Sequence, residues 1–139
     1  MSMKLFMRLQ KGERMRKANV LQSLGRRKAG EMNKTETAYS KYLEELKKQG
    51  VIIWYAFEPI TLKLANTLRY TPDFVVILAD GSVQLHEVKG ARAIFYDDAK
   101  AKVKMCAQKY RWAEMLVVYP VPRTKMTEWE TDVYEACEE

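Results

Sequence analysis

Residues 70–90 of the 139-residue chain read YTPDFVVILADGSVQLHEVKG, and this stretch decides the fold. Two of its segments, Tyr70–Leu78 and Val83–Val88, are rich in branched and aromatic residues and predict β-strands. Between them, Asp80-Gly81 is a strong signal for a tight turn. The stretch therefore predicts a β-hairpin with an apolar first strand.

Three charged side chains frame this hairpin. Because alternate residues of a strand share a face, Glu87 and Lys89 point the same way. A two-residue loop at Asp80-Gly81 would put Asp73 on the opposite face. A three-residue loop, residues 79–81 with the glycine in the left-handed region, would pair Asp73 directly with Glu87. We predict the three-residue loop.

An amphipathic helix precedes the hairpin. Asn33 followed three residues later by Glu36 fits a capping box, and Gly50 supplies the end of the helix. The apolar stripe of this helix is formed by Tyr39, Tyr42, Leu43 and Leu46. Glu36 lies on the same stripe, so its carboxylate is predicted to face the body of the protein.

The remaining elements complete an α/β pattern. We predict a strand at Val51–Phe57, a less regular segment through Leu62 and Leu64, a helix at Asp97–Arg111, a buried strand at Met115–Tyr119 and a C-terminal helix opened by Thr127 and Glu130. The strand–helix–strand step from Val83 to Tyr119 predicts a parallel crossover. The expected fold is a mixed central β-sheet with helices on both faces.

Two carboxylates and one ammonium on a single patch predict a divalent-metal site. Side-by-side acids repel each other unless a cation lies between them. We expect Asp73, Glu87, the carbonyl of Val88 and waters to bind Mg²⁺. Lys89 would then orient the attacking water or stabilise developing negative charge. Glu36 would complete the acidic cluster and is a candidate ligand for a second ion.

Simpler interpretations exist for each piece of this pattern. Glu87 and Lys89 on one strand face could form an ordinary ion pair, and Pro72-Asp73 is a common turn dipeptide. Glu36 has a sufficient role in the capping box. What favours a functional site is the apolar flank at Phe74–Leu78, because two acids beside such a strand are costly without a purpose.

Positive charge is concentrated at the N-terminus. Up to Lys34 the chain has ten Lys or Arg against two Glu, a net charge of +8, whereas the whole chain carries +6. Such an arm predicts a polyanionic partner, although a solubilising tail or a membrane-surface helix is also compatible with the charge. A short helix is plausible over residues 13–24. The candidate DNA-binding residues of the arm are Arg14, Arg16, Lys17, Arg26, Arg27 and Lys28.

Several residues outside this patch have candidate roles. Lys102 and Lys104 flank the core-facing stripe of the Asp97–Arg111 helix, where they could contact a DNA phosphate or simply form a solvated face. Strand alternation sends His86 to the face opposite Glu87, which predicts a packing role and not a catalytic base. Trp54, Tyr55 and Trp112 are expected in the core and not as base-stacking platforms.

The bulk composition predicts one soluble domain, with residues 1–33 as an arm and residues 34–139 as the folded body. The chain is 47% hydrophobic and 30% charged, which is typical of globular proteins. It lacks an apolar run of about 20 residues that could cross a bilayer. Its two cysteines, Cys106 and Cys137, have neither metal-type nor disulfide spacing. We expect a cytoplasmic protein without membrane association.

The order of these motifs resembles a known enzyme class. Pro-Asp followed by Glu-x-Lys on adjacent strands resembles the PD-(D/E)XK nuclease superfamily, whose fold is the restriction-endonuclease-like core. Within it, the chain is most similar to the junction-resolving endonucleases of T-odd phages, over about Lys34 to Lys125. The segments that carry this likeness are Thr35-Glu36, Tyr70–Phe74, Glu87–Gly90, Asp97-Asp98 and Arg123–Lys125.

The resemblance implies a homodimeric, Mg²⁺-dependent endonuclease that cuts branched DNA such as Holliday junctions during phage replication or recombination, with Mn²⁺ as a substitute ion. It assigns catalytic roles to Glu36, Asp73, Glu87 and Lys89. It also implies that the basic arm contacts the junction. The segment 51–64 does not match the part that such enzymes exchange between subunits, so domain swapping is not implied.

Three other functions fit the same sequence. The chain could be a nickase or a host-DNA-degrading nuclease of the same fold, a DNA-binding module without catalysis, or a protein that binds a membrane or RNA through its arm. Retention of Glu36, Asp73, Glu87 and Lys89 argues against the inactive module, because clustered acids are costly to keep.

Overall fold

The computed structural model describes residues 30–137. The helix predicted over residues 13–24 and the six candidate DNA-binding residues of the arm, Arg14, Arg16, Lys17, Arg26, Arg27 and Lys28, lie outside the described residues. Within residues 30–137, no helix is both long and apolar enough to span a lipid bilayer.

The described chain forms an α/β fold around a mixed five-stranded sheet. In chain order the elements are α1 (Lys34–Lys48), β1 (Ile52–Phe57), β2 (Leu62–Ala65), β3 (Leu68–Tyr70), β4 (Phe74–Leu78), β5 (Val83–Val88), a 3₁₀ turn (Arg92–Ile94), α2 (Asp97–Lys109), β6 (Ala113–Pro120) and β7 (Trp129–Tyr134). The central sheet has the order β1-β4-β5-β6-β7, and β2 and β3 form a separate two-stranded sheet. The predicted mixed sheet is confirmed.

The hairpin between β4 and β5 has the predicted three-residue loop. Ile77 pairs with Val83, the Leu78 N–H donates to the Ser82 carbonyl at 2.9 Å, and Gly81 has a φ of +87°. A left-handed glycine at this position is the expected bulge geometry. The loop length is therefore confirmed.

The first strand of the hairpin begins later than predicted. Regular pairing starts at Phe74 opposite His86, and Tyr70 belongs to the separate strand β3. Pro72 lies in the break because it has no N–H to donate to a ladder. Asp73 consequently sits just outside β4, at the end of the sheet.

Helix α1 begins with the predicted capping box. The Asn33 side chain accepts a hydrogen bond from the Glu36 N–H at 2.8 Å, and the Asn33 N–H donates to Glu36 Oε1 at 2.8 Å. The helix is followed by Gly50, which has a φ of +78°. Because Tyr39 and Leu43 are fully buried, the helix packs with Glu36 directed inward, as predicted.

Loss of the cap is expected to destabilise the fold modestly. Asn33→Ala removes the acceptor of the Glu36 N–H and should lower the free energy of unfolding by about 1 kcal/mol. Chemical denaturation measures this, with Lys41→Ala as the control, because Lys41 is an exposed residue of the same helix. An unfolding free energy equal to that of the parent would contradict a stabilising role for the box.

The two helices cover opposite faces of the sheet. The α1 face is packed with Tyr39, Leu43, Phe74, Val76, Leu116, Val118 and Trp129. The α2 face is packed with Val75, Leu85, Val103, Cys106, Met115, Val117 and Tyr119. Strand β6 contributes alternate residues to both cores, which explains its uninterrupted apolar sequence. The predicted burial of this strand on both sides is confirmed.

The connection from β5 through α2 to β6 joins parallel strands, as predicted. Val83 pairs with Ala113 and Val88 with Val118 in a continuous parallel register. This crossover fixes α2 over the sheet face that contains Leu85 and Glu87. It therefore places the start of the helix near the end of the Glu-x-Lys strand.

The predicted C-terminal helix is wrong, since Trp129–Tyr134 forms strand β7, antiparallel to β6. The Thr127 hydroxyl donates to the Thr124 carbonyl and does not cap a helix. The segment WETDVY contains four aromatic or β-branched residues, and the open edge of β6 offers a full ladder of backbone partners. Pairing with a neighbouring strand outweighs a four-residue capping signal.

Two further expectations are wrong. The irregular segment through Leu62 and Leu64 is part of an ordered hairpin, β2–β3. Trp54 and Trp112 are 42% and 60% exposed and are not core residues. Trp54 lies on the edge strand β1, and Trp112 lies in the turn before β6.

Candidate active site at the end of the β4–β5 hairpin

The hairpin register brings Asp73, Glu87 and Lys89 together. Continuing the pairing of Phe74 with His86 by one step places Asp73 opposite Glu87. Asp73 Oδ2 accepts a hydrogen bond from the Val88 N–H at 2.7 Å. Lys89 Nζ lies 3.4 Å from Glu87 Oε2. The predicted patch of two carboxylates and one ammonium is present.

Glu36 reaches the same patch from helix α1. It is 92% buried (8% exposed), and its carboxyl group makes a side-chain hydrogen bond with Asp73. Burial raises the pKa of Glu36, and the negative charge of Glu87 adds to that shift, although the Asn33 N–H and Asp73 oppose it. The helix therefore delivers a third acid to the end of the hairpin.

Crowding of the acids is most evident at Asp73. Removal from water raises the pKa of Asp73 well above its usual value, and the charges of Glu87 and Glu36 raise it further. The Val88 N–H and Lys89 only partly offset this effect. Like charges this close disfavour ionisation of the carboxyl groups. Lys89 therefore does not neutralise the combined negative charge of Asp73, Glu36 and Glu87.

Lys89 remains a cation in this environment. Burial lowers the pKa of its ammonium, but the charges of Glu87 and Asp73 outweigh burial, so the net pKa is raised. Its side chain keeps 26% of its surface exposed. A charged and accessible ammonium is what contact with a phosphate requires.

The Val88 carbonyl points to the β4 side of strand β5. The Lys89 N–H donates to Val118 on β6, and backbone groups of successive strand residues point to opposite neighbours. The N–H and C=O of Val88 therefore both point to the β4 side, where Asp73 accepts the N–H. This orientation fits the predicted role of the Val88 carbonyl as a ligand.

Tyr70 is a site residue that sequence reasoning did not assign. Its hydroxyl donates to Glu87 Oε1 at 2.7 Å. Burial raises the pKa of Tyr70 well above its usual value, and Glu87 and Asp73 raise it further, so the phenol stays a hydrogen-bond donor. The available signal was a tyrosine three residues before Asp73, since a buried phenol needs a polar partner.

Glu58 was also missed. It has a φ of +46°, which is strained for a residue with a side chain, and its N–H donates to the Asp73 carbonyl at 2.8 Å. Its Oε1 accepts from the Gly30 N–H at 3.1 Å. Glu58 thus links the start of the described chain to the acidic patch. Its place before Pro59 predicts extended backbone, so nothing in the sequence indicated this conformation.

Backbone N–H groups bind some of the carboxylate oxygens, and the acids do not surround a single metal position. Within residues 30–137, no three His, Cys, Asp or Glu side chains are arranged so that they could hold a metal ion together. One oxygen of Glu36 and one of Asp73 are bound to backbone N–H groups. Mg²⁺ commonly uses only one or two carboxylates and keeps several waters. Asp73 and Glu87 with the Val88 carbonyl fit that donor set, whereas a ligand role for Glu36 stays a prediction.

The other predicted residues have clear positions. Lys102 and Lys104 flank the buried Val103 on α2, Lys102 half-buried and Lys104 exposed; their contact with DNA stays a prediction. His86 is fully buried on the α1 face, with its Nδ1 2.7 Å from the Tyr39 hydroxyl. Burial lowers its pKa to about 3. The expectation that His86 packs on the face opposite Glu87 is confirmed.

No family model, curated protein sequence or solved structure matches the chain.

Proposed function

We propose that the chain is a Mg²⁺-dependent endonuclease of the PD-(D/E)XK type that hydrolyses phosphodiester bonds in DNA. The observation that supports it best is the odd-length hairpin loop, which puts Asp73 and Glu87 side by side with Lys89 next to them. An ordinary surface ion pair would need only Glu87 and Lys89. The two additional acids, the half-buried Asp73 and the buried Glu36, leave an excess of negative charge that a divalent cation would neutralise.

Each residue of the patch would have a separate role in phosphodiester hydrolysis. Asp73, Glu87 and the Val88 carbonyl would hold Mg²⁺, which when bound lowers the pKa of a coordinated water and offsets negative charge on the phosphate. Lys89 would donate to the phosphate as charge develops during attack of water on phosphorus and breakage of the P–O ester bond. Glu36, through its contact with Asp73, would keep that carboxylate in place.

We further propose that the substrate is branched DNA, such as a four-way junction, and that the basic arm contacts it. The branched substrate, the homodimer and the place of action in the host cytoplasm rest on the motif resemblance. The contact of Gly30 with Glu58, and of Glu58 with Asp73, supports the arm's role, because it holds the end of the arm beside the acids.

A cleavage assay tests the proposal. The full chain is incubated with a labelled four-way junction and with a matched linear duplex, each with Mg²⁺ and with EDTA. We expect Mg²⁺-dependent cutting of the junction and little cutting of the duplex. Equal cutting of both substrates would indicate a general nickase, and binding without cutting would indicate a DNA-binding module.

The arm makes a separate prediction. In the triple variant Arg26→Gln, Arg27→Gln and Lys28→Gln, the slope of log affinity against log salt concentration should become shallower by up to about 2.7, since each lost phosphate contact removes about 0.9. Fluorescence anisotropy with labelled junction DNA measures the slope. A triple change of the exposed α1 residues Lys41, Lys47 and Lys48 to Gln is the control, and an unchanged slope in the arm variant would exclude these three residues as phosphate contacts.

A further inference from the structure

Glu87 is held through both of its carboxylate oxygens. Oε1 accepts the hydroxyl hydrogen of Tyr70 at 2.7 Å, and Oε2 lies 3.4 Å from Lys89 Nζ. The second distance is long for a charge-assisted hydrogen bond, which is usually 2.7–2.9 Å. Tyr70 therefore makes the shorter of the two contacts.

Tyr70 is the residue through which the β2–β3 hairpin reaches the site. It ends β3, in the two-stranded sheet outside the central sheet, where it pairs with Leu62. The β2–β3 hairpin is fastened to the end of α2, where the Tyr110 hydroxyl donates to the Lys63 carbonyl. Its own two ends are held together by Thr61 and Thr71, whose hydroxyls lie 2.7 Å apart. A phenol mounted in this way is a fixed donor.

A fixed donor matters because the Glu87 carboxylate can either pair with Lys89 or serve as the proposed metal ligand. If Lys89 were its only partner, the carboxylate would be free to close onto the ammonium, and the two charges would neutralise each other. A neutral hydroxyl on Oε1 holds the carboxylate without cancelling its charge. The Tyr70 contact therefore fixes one oxygen of Glu87, so that the carboxylate does not close further onto the Lys89 ammonium, which lies 3.4 Å from the other oxygen.

We propose that Tyr70 is a positioning residue, which orients the Glu87 carboxylate and thereby sets the affinity of the site for a divalent cation. This inference rests on the proposed function, because it assigns the outer partner of one of the proposed Mg²⁺ ligands. Partners of this kind orient metal ligands, and their loss typically weakens metal affinity or activity 10- to 100-fold.

The test is Tyr70→Phe, which removes one oxygen atom and keeps the ring, which belongs to the same buried cluster as Val103 and Cys106 of α2. We expect the Mg²⁺ concentration that gives half-maximal cleavage to rise by about 10- to 100-fold. Calorimetric titration of the DNA-free protein with Mn²⁺ should show the same loss of affinity. The dissociation constant for junction DNA in EDTA should not change. A residue with only a packing role would lower the melting temperature and leave both metal measurements unaltered.

Tyr55→Phe is the matched control. The Tyr55 hydroxyl donates to Glu44 Oε1 at 2.9 Å, so the variant also loses a tyrosine–glutamate hydrogen bond, away from the acidic patch. We expect parental metal affinity for it. Mn²⁺ binding by the parent but equal binding by Tyr70→Phe would overturn the positioning role alone. A parent protein that neither binds Mn²⁺ nor cuts DNA would overturn the proposed function and the positioning role together.

Discussion

Asp73→Asn is expected to lower the rate of DNA cleavage by more than about 100-fold, because the loss of a mere partner of a metal ligand already reaches that size. The asparagine can still accept the Val88 N–H with its side-chain oxygen and can donate to Glu36, so the fold should be retained. It cannot supply the anionic oxygen that Mg²⁺ needs. Initial rates on a labelled junction at saturating Mg²⁺ measure the effect.

Junction binding by the same variant should be equal to or tighter than that of the parent, since one negative charge beside the phosphate is removed. Asp80→Asn is the matched control, because Asp80 is an exposed carboxylate at the far end of the hairpin and bonds only within the loop, to Ser82. Glu87→Gln should behave as Asp73→Asn does. Cleavage by Asp73→Asn within a few fold of the parent would remove Asp73 from the proposed mechanism.

Mg²⁺ is expected to raise the melting temperature of the DNA-free protein at neutral pH. At a Mg²⁺ concentration 100 times its dissociation constant, binding adds about 2.7 kcal/mol to the free energy of unfolding, or roughly 10 °C for a domain of this size. The cation stabilises the folded protein because it reduces the electrostatic repulsion among Asp73, Glu36 and Glu87. Differential scanning fluorimetry with Mg²⁺ and with EDTA measures the shift.

Asp73 and Glu36 determine whether the free energy of unfolding rises or falls with pH. Both have a raised pKa in the folded state, so the folded protein keeps protons that the unfolded chain has already lost. In EDTA, the free energy of unfolding should therefore fall as pH rises from the ordinary carboxyl pKa through the raised folded values. Mg²⁺ competes with these protons, so its stabilising effect should grow over the same pH range.

Asp73→Asn is the control for this second expectation. In EDTA at neutral pH it should be more stable than the parent, since a crowded charge is replaced by a neutral amide, and its stability should depend less on pH. Mg²⁺ should shift its melting temperature little. A parent protein with the same melting temperature in Mg²⁺ and EDTA would argue against a metal at this patch.

Local patterns predicted the centre of the fold because the decisive interactions there are close in sequence. The β4–β5 hairpin depends on one glycine that can adopt a positive φ, and the start of α1 depends on Asn33 and Glu36 bonding to each other. Burial of Glu36 followed from its place on the apolar stripe with Tyr39. These features let the sequence alone place Asp73, Glu87, Lys89 and Glu36 on one patch.

What could not be predicted depends on partners far away in the chain. Trp129–Tyr134 carries a helix-start signal, and only the open edge of β6 makes it a strand. The role of Tyr70 requires an ordered β2–β3 hairpin, which no turn signal indicated. The strained backbone of Glu58 is held by Asp73 and Gly30, which lie 15 and 28 residues away in the chain.

Surface loops ordinarily tolerate insertions and deletions, but the turn at residues 79–81 is a loop whose length is under chemical constraint. Relative to β5, adding or removing one residue there reverses the side of the sheet to which every side chain of β4 points, and with them that of Asp73, just before the strand. Homologous chains that share this chemistry should therefore vary in the composition of the turn and not in the parity of its length. In such a lineage, a single-codon insertion far from the acids would abolish the proposed cleavage activity as completely as loss of a carboxylate.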